Sequence, residues 1–371
     1  MARRGENIYK RKDGRFEGRY VVGRKPDRTS KFGYVYGRSY GEVKAKLQPL
    51  KRMFQRPQNV SGFRGIFADY AVNWLNRTVH EKDIKASTYS SYYRMTHNHI
   101  IPALGGSFPH LIRKSDVRDF MYHLKGKGLS DGSVANILRL LAAMLKSARE
   151  ENIVVEDACA GIQMPSSKRR KISVLTRTEQ AQLERTCAQE KAGIVALLAL
   201  YTGMRVGEIS ALKWSDIDLN EGLLYVRETA QRVTKYGAAG AKTRLYFERP
   251  KTASSERVIA LPKNLTAYLR KHRAAAKGDY VVSCKGGVAE PRVCQYRFKV
   301  LLEKACVKPV NFHALRHTYA TRCMEEGMDV KTLSQLMGHA QASMTLRYGD
   351  SLTEHKKRAV MALDKVYQVA I

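Results

Sequence analysis

No stretch of this 371-residue chain approaches 18 consecutive apolar residues, and its first residues carry no signal-peptide-like apolar segment. Neither a membrane-spanning helix nor a secretory route is therefore expected. Paired cysteines are also missing. Cys159, Cys187, Cys284, Cys294, Cys306 and Cys323 are widely separated, with no C-x-x-C among them. That removes the spacing of zinc ligands and reads as reduced thiols in a cytoplasmic protein. There is no internal repeat, no low-complexity tract and no glycine-rich loop of the kind that cradles nucleotide phosphates. Acidic residues are scarce: 34 Asp and Glu stand against 66 Lys and Arg, a net charge of +32. An excess that large calls for a polyanionic partner, and phosphate binding scales with the cations presented, so nucleic acid is the expected one.

What is present is a globular chain of several parts. Hydrophobic residues make up 44% and charged residues 27%, and the length fits two or three domains. Residues 1–56 read as a small β-sheet with one helix. Asn7–Lys10, Arg15–Val22 and Lys31–Tyr36 are rich in Tyr, Val and Phe, Lys12-Asp13-Gly14-Arg15 is a hairpin turn, and Ser39 is placed to cap a helix over Tyr40–Phe54. Residues 1–60 carry 17 Lys and Arg against 5 Asp and Glu, a net of +12. Arg15, Arg19 and Tyr20 on that sheet are its DNA-binding candidates. A polar linker over Gln55–Ser61 leads to a helical domain, 62–162, where Phe63, Phe67, Tyr70, Ala71, Trp74 and Leu75 recur at three- and four-residue steps. Further helices are expected over Ser87–Gly105, Ser115–Leu124 and Ser130–Glu151. A basic linker, 163–174, contains Lys168, Arg169, Arg170 and Lys171, a run suited to tracking a phosphate backbone between two DNA-binding domains. From 175 to 371 the pattern is mainly helical. Short strands are expected at Leu223–Thr229, Arg244–Glu248, Arg257–Ala260 and Val281–Ser283, around a long loop at Lys235–Lys242. The fold class expected is thus mixed α+β and multidomain: a sheet-plus-helix module, a helical domain, and a mainly helical domain with a small antiparallel sheet.

Six polar residues in that last domain form a chemical set: Arg205, Lys251, His313, Arg316, His339 and Tyr348. Attack on a phosphodiester builds negative charge on the phosphoryl oxygens, and stabilising that charge is usually the largest catalytic contribution. Arginine suits it, because its planar fork bonds two oxygens and stays charged. Arg205 follows the turn Thr202-Gly203-Met204 and precedes Glu208 by less than one helical turn; Arg316 lies three residues after His313, on the same helical face. An imidazole at His313 accepts a proton near neutral pH, and His317 beside Arg316 is placed to buttress it. His339 follows Gly338 in a turn and stands nine residues before Tyr348. A phenol near pKa 10 is a poor nucleophile at neutral pH, and it needs the cations and bases this set supplies. Lys251, in Pro250-Lys251-Thr252, competes with Lys242 and Lys235 for the role of an acid.

The order and context of these six residues resemble the tyrosine recombinase (phage integrase) family, closely over residues 62–371 and loosely over 1–60. The resemblance implies a site-specific recombinase that works without metal or cofactor. Tyr348 would form a 3′-phosphotyrosine and free a 5′-hydroxyl, and Lys251 would act as the mobile-hairpin general acid. The resemblance further implies core-site binding by the helical domain and arm-site binding by the amino-terminal module. It also implies a homotetramer exchanging strands through a Holliday junction, with integration, excision, an excisionase and a DNA-bending protein as further expectations, and a place on the bacterial nucleoid. The helix expected over Leu352–Ile371 would dock on a neighbouring subunit or on its own domain. Two rivals remain: a type IB topoisomerase-like relaxing enzyme and a non-catalytic DNA-binding regulator.

Overall fold

A computed structural model describes residues 6–25, 29–54, 63, 65–82, 84–166, 172–235, 242–248, 256–339 and 341–346. The chain is mixed α+β and multidomain, and helix-rich. It divides into two compact units, residues 1–169 and 170–371. Among the described residues, no helix is long and apolar enough to cross a membrane.

The first unit opens on an antiparallel sheet, β1 (Ile8–Lys10), β2 (Phe16–Arg24) and β3 (Ser30–Gly37), followed by α1 (Tyr40–Phe54). Ser39 caps α1 by accepting from the Glu42 amide at 3.2 Å, as its hydroxyl can at a helix start. The sheet lies close to α1 because β2 has glycine where the helix crosses: a Cβ on Gly18 would meet Val43 Cγ1 at 2.7 Å. That contact also fixes the faces. Gly18 and Tyr20 look toward α1, whereas Glu17 and Arg19 look outward, since strand side chains alternate.

Helices α2 (Phe67–Lys82), α3 (Ala86–Met95), α4 (Ile101–Leu104), α5 (Lys114–Gly126) and α6 (Asp131–Glu150) complete the unit. Their core gathers Phe67, Tyr70, Trp74, Ile100, Phe120, Leu141 and Met144. The helix expected over Ser87–Gly105 starts at Ala86 and is interrupted by a π turn at Thr96–Ile100, which buries Thr96 and Ile100. Periodicity at three and four residues cannot register one wide turn. Trp74 satisfies its indole N–H on Ser147 Oγ at 2.9 Å, tying α2 to α6.

The second unit is built on α8 (Ile194–Thr202), apolar and buried along almost its whole length. Around it stand α7 (Arg177–Gln189), α9 (Val206–Ala211), α10 (Lys263–Ala274), α11 (Pro291–Lys304), α12 (His313–Glu325), α13 (Val330–Met337) and α14 (Ser343–Leu346). One sheet has the order β4 (Ile217–Asp218), β5 (Leu223–Val226), β8 (Arg257–Ala260); β6 (Thr229–Lys235) and β7 (Lys242–Glu248) form a separate hairpin, and β9 (Ser283–Cys284) pairs with β10 (Gly287–Val288). The strand expected at Leu223–Thr229 therefore ends at Val226, and a new one runs from Thr229. Only Ala230 and Val233 of β6 are buried, between polar Gln231, Arg232 and Thr234. An apolar signal that thin does not announce a strand. The strand expected at Val281–Ser283 likewise moves on to Ser283–Cys284, because Val281 and Val282 are buried core residues outside any strand.

Candidate functional site

The second unit places four of the named residues, with Glu208, around one turn. Helix α8 stops at Gly203, whose φ of +65° ends it in the left-handed conformation that glycine tolerates best. Two residues on, Arg205 becomes the N-cap of α9, and its amide donates to Glu208 Oε2 at 2.9 Å. Its Nη1 donates to Glu208 Oε1 at 2.8 Å and its Nη2 to the Gly338 carbonyl at 3.1 Å. The Arg205 side chain keeps 37% of its surface exposed, so one side of this guanidinium is open. Arg316 differs. It lies on α12 at 1% exposure, donating through Nη1 to the Gly203 carbonyl at 2.6 Å and through Nη2 to the Met337 carbonyl.

A residue that sequence reasoning left as a plain strand start completes the cluster. Arg257 opens β8, and its Nη2 donates to Glu208 Oε2 at 2.8 Å while its Nε donates to the Leu336 carbonyl at 2.6 Å. The pair is almost fully enclosed, at 5% and 4% side-chain exposure. Burial alone would raise the Glu208 carboxyl, but the hydrogen bonds and charges of Arg257 and Arg205 hold it down at about 2. The available signal was period two: Arg257 shares the inward face of β8 with buried Ile259, and an inward arginine needs an anion.

The imidazoles follow. Helix α13 ends in a Schellman motif, the Gly338 amide on the Gln335 carbonyl and the His339 amide on the Ser334 carbonyl, both at 3.0 Å, with Gly338 at φ +60°. His339 is thereby turned inward to 8% exposure, with Nδ1 2.8 Å from Thr345 Oγ1. Burial first, then Arg316, Arg205, Arg257 and His313, push it down to about 4. His313 opens α12 as an exposed residue; desolvation of its ring first, then Arg316 and Arg205, lower it as well, and His317 meets it edge-on at 4.4 Å. Both His313 and His339 are thus neutral at pH 7. If the Thr345 hydroxyl donates to Nδ1, the His339 proton resides on Nε2.

These shifts set an acid limit. As pH falls from 6.5 toward 4, the unfolded chain protonates residue 339 before the folded one does, which costs the fold roughly 3 kcal/mol. Between about 4.5 and 2 the depressed Glu208 carboxyl removes a further contribution of roughly 3 kcal/mol. Urea unfolding of the DNA-free protein should therefore show its midpoint falling from pH 7 to pH 4, and less steeply in His339→Gln. An identical pH slope in that variant would refute the assignment.

Lys251 and Tyr348 lie outside the described residues, as do Lys168, Arg169, Arg170, Lys171 and the helix expected over Leu352–Ile371. Among the described residues, no group of three His, Cys, Asp or Glu is placed to hold a metal ion.

The amino-terminal sheet offers a second cationic surface. Arg19 lies over the rings of Tyr9 and Phe32, 4.9 and 5.1 Å from their centroids, and its Nη2 donates to Tyr9 Oη at 3.0 Å. Arg11 lies over Tyr36 at 5.5 Å. The cross-strand pairs Arg19–Tyr34 and Glu17–Tyr36 put Tyr34 and Tyr36 on the same outward face, and Tyr9, Tyr34 and Tyr36 are all exposed. Arg15 is held by Asp13 at 2.8 Å in the hairpin turn. Tyr20 lies on the opposite face, its ring where a Cβ on Gly33 would be. The outward tyrosines were missed because adjacent residues, Arg19 and Tyr20, were read as one surface.

Comparison with known proteins adds the family. Residues 173–355, which hold the whole cluster, match the phage integrase family. The tyrosine recombinase XerC-like protein of Caldanaerobacter subterraneus subsp. tengcongensis is 26% identical over 357 residues, covering 90% of this chain and 91% of that protein. In fold, the chain resembles the Tn1549 transposon integrase (residues 82–397) in complex with a circular intermediate DNA: TM-score 0.68, 21% identity, 81% of this chain and 99% of that one. It also resembles the lambda integrase tetramer bound to a Holliday junction, with TM-score 0.60, 19% identity, 92% of this chain and 94% of that one. The chain belongs to the phage integrase family and is a tyrosine recombinase.

Proposed function

We propose that this protein is the site-specific recombinase of a mobile element, cutting and rejoining duplex DNA through a phosphotyrosine bond at Tyr348. The observation that carries the reading is the gathering of three guanidiniums, one carboxylate and two neutral imidazoles at the turns Gly203–Arg205 and Leu336–His339. Arg205 and Arg316 stabilise charge on the non-bridging oxygens, Arg205 through its open side. His313 takes the phenol proton, and His339 donates to a phosphoryl oxygen. The Tyr348 oxygen then bonds to phosphorus, the bond to the 5′-oxygen breaks, and Lys251 protonates the leaving oxygen. The bond energy is kept in the new ester, so rejoining needs no nucleotide. Integration and excision follow from forward and reverse use of that exchange, in a tetramer passing through a Holliday junction.

The remaining parts take their roles from the same reading. Residues 1–56 bind arm sites, 62–162 core sites and 175–371 cut, with 163–174 tracking the backbone between the core-binding and cutting domains, and with an excisionase and a DNA-bending protein as partners near the nucleoid. Trapping tests the core of it. Sites chosen by the protein from a random-sequence pool, each nicked at a series of positions, should yield a detergent-resistant protein–DNA adduct and a free 5′-hydroxyl. A regulator yields no adduct, and a topoisomerase relaxes supercoils without a chosen site. For the sheet, Arg19→Ala is expected to weaken arm-type duplex binding by about 1–3 kcal/mol, the scale of one good base contact, while core-site cleavage stays unchanged. Equal gel-shift affinity would remove the sheet from DNA contact.

A further inference from the structure

Arg257 is not among the residues to which the reaction above assigns a step, yet it is among the most enclosed cations of the second unit. It lies 49 residues after Glu208 and 79 before Leu336, and its one guanidinium holds both. The three carbonyls at the end of α13 show why that matters. Leu336, Met337 and Gly338 each accept from a different arginine, respectively Arg257, Arg316 and Arg205. The last carbonyls of a helix have no intrahelical partner, so these donors fix where the turn goes next. The Schellman amides use the Ser334 and Gln335 carbonyls and leave these three to side chains. Arg257 also fills the space beside the turn: a Cβ on Gly338 would lie 3.1 Å from its Nη1.

We propose that Arg257 is a positioning residue for strand cleavage: by gripping Glu208 and the Leu336 carbonyl together, it aims His339 and holds Arg205 in place. The inference rests on the recombinase reading. Its physical content lies in the fork. Nη1 and Nη2 approach the two Glu208 oxygens at 3.3 and 2.8 Å while Nε, at the other edge, reaches the carbonyl. A lysine ammonium is a point charge and does not span both. Glu208 in turn holds the Arg205 amide and Nη1, so a displaced carboxylate carries Arg205 with it. Removing one half of a buried pair also leaves the other uncompensated.

Among the described residues, the charged groups around His339 are Arg205, Arg257, Arg316 and His313, with Glu208 between the first two and His317 against His313. Taking away the Arg257 charge lets His339 accept a proton at higher pH. The test is single-turnover cleavage of nicked duplexes built on the selected site, from pH 5 to 9, with binding measured beside it. Arg257→Gln is expected to cleave about 100-fold more slowly, as misplacement of a reacting group by an ångström does, at unchanged DNA affinity. Its acid limb should move to higher pH. A merely structural role would lower the melting temperature and scale the rate without moving the limb. That outcome, or parental cleavage, overturns the proposal. Should Arg257→Gln fail to fold, Arg257→Lys decides: it keeps the charge, so the limb stays while the rate falls by about tenfold, part of the same misplacement effect. A parental rate in the lysine variant overturns the proposal too. Absence of any adduct with the unaltered protein would instead sink the recombinase reading, which separates the two failures.

Discussion

Arg316→Ala should lose strand cleavage by roughly 10²–10³-fold or more, the cost of deleting one donor to a developing oxyanion. It should also weaken the fold, which distinguishes it from Arg205→Ala. Arg316 is 1% exposed and braces the Gly203 and Met337 carbonyls, one from each side of the site. Deleting it leaves two buried carbonyls unpaired, at about 1–3 kcal/mol each. An unfolding free energy lowered by a total of roughly 2–6 kcal/mol is expected. Arg205, with 37% of its side chain exposed, braces only the Gly338 carbonyl in this way and should cost less stability for a similar loss of rate. Single-turnover cleavage and urea melts on the two variants settle the matter. Equal destabilisation would mean that Arg316 does not hold the two turns together, and parental cleavage by Arg316→Ala would take it out of the reaction.

The difference between those two arginines was not legible in the sequence, although both positions were. Arg205, His313 and His339 each stand at an element boundary: the N-cap of α9, the first residue of α12 and the residue after the left-handed end of α13. Boundaries carry local signals, such as Gly203 and Gly338, and local signals can be read. Burial of Arg316 is set instead by α8 and by the α13 turn, 113 and 21 residues away. The grip of Arg257 on Glu208 is long-range in the same way, and a strand arginine is ordinary until its inward neighbour Ile259 is considered. The fold divides along the same line. Strands β1 to β3 and α1 have strong propensities and fall close to where those place them, whereas β6 depends on two buried residues packed under α9 and gave no pattern.

Electrostatics tie these pieces into one device. Arg205 and Arg257 share the Glu208 carboxylate and Arg316 braces the same turns, so among the described residues the cluster carries an excess of two positive charges when its imidazoles are neutral. Glu208 does not add to that excess by protonating near neutral pH, because its carboxyl sits at about 2. The imidazoles do not add to it at pH 7, because burial first and then the same cations hold His339 at about 4 and His313 below its usual value. In the proposed reaction a phosphodiester brings one negative charge to these cations, and a second develops as attack proceeds. Binding and reaction therefore draw on the same groups in succession, which is what selective stabilisation of the transition state requires.

Tyr348→Phe should abolish the covalent adduct altogether, the largest effect expected, while leaving site selection and affinity intact. The removed atom is the proposed nucleophile, so no residual path through the same ester is expected. Which phenol the cations serve decides the outcome. Tyr319 on α12 lies near Arg257 and Arg316 too, but burial foremost, with Cys323 beside it, pushes its hydroxyl well above the usual tyrosine range. Its ring also fills the space against Gly203, where a Cβ would meet it at 2.5 Å. A phenol in that setting serves packing and is a worse nucleophile than free tyrosine. Tyr348 stands two residues past the end of α14, the helix whose Thr345 is tied to His339 at 2.8 Å. Tyr319→Phe should accordingly still form the adduct, and peptide mapping of the trapped complex should find phosphate ester on residue 348. Adduct formation by Tyr348→Phe, or a phosphorylated peptide elsewhere in the chain, would give the role to another residue.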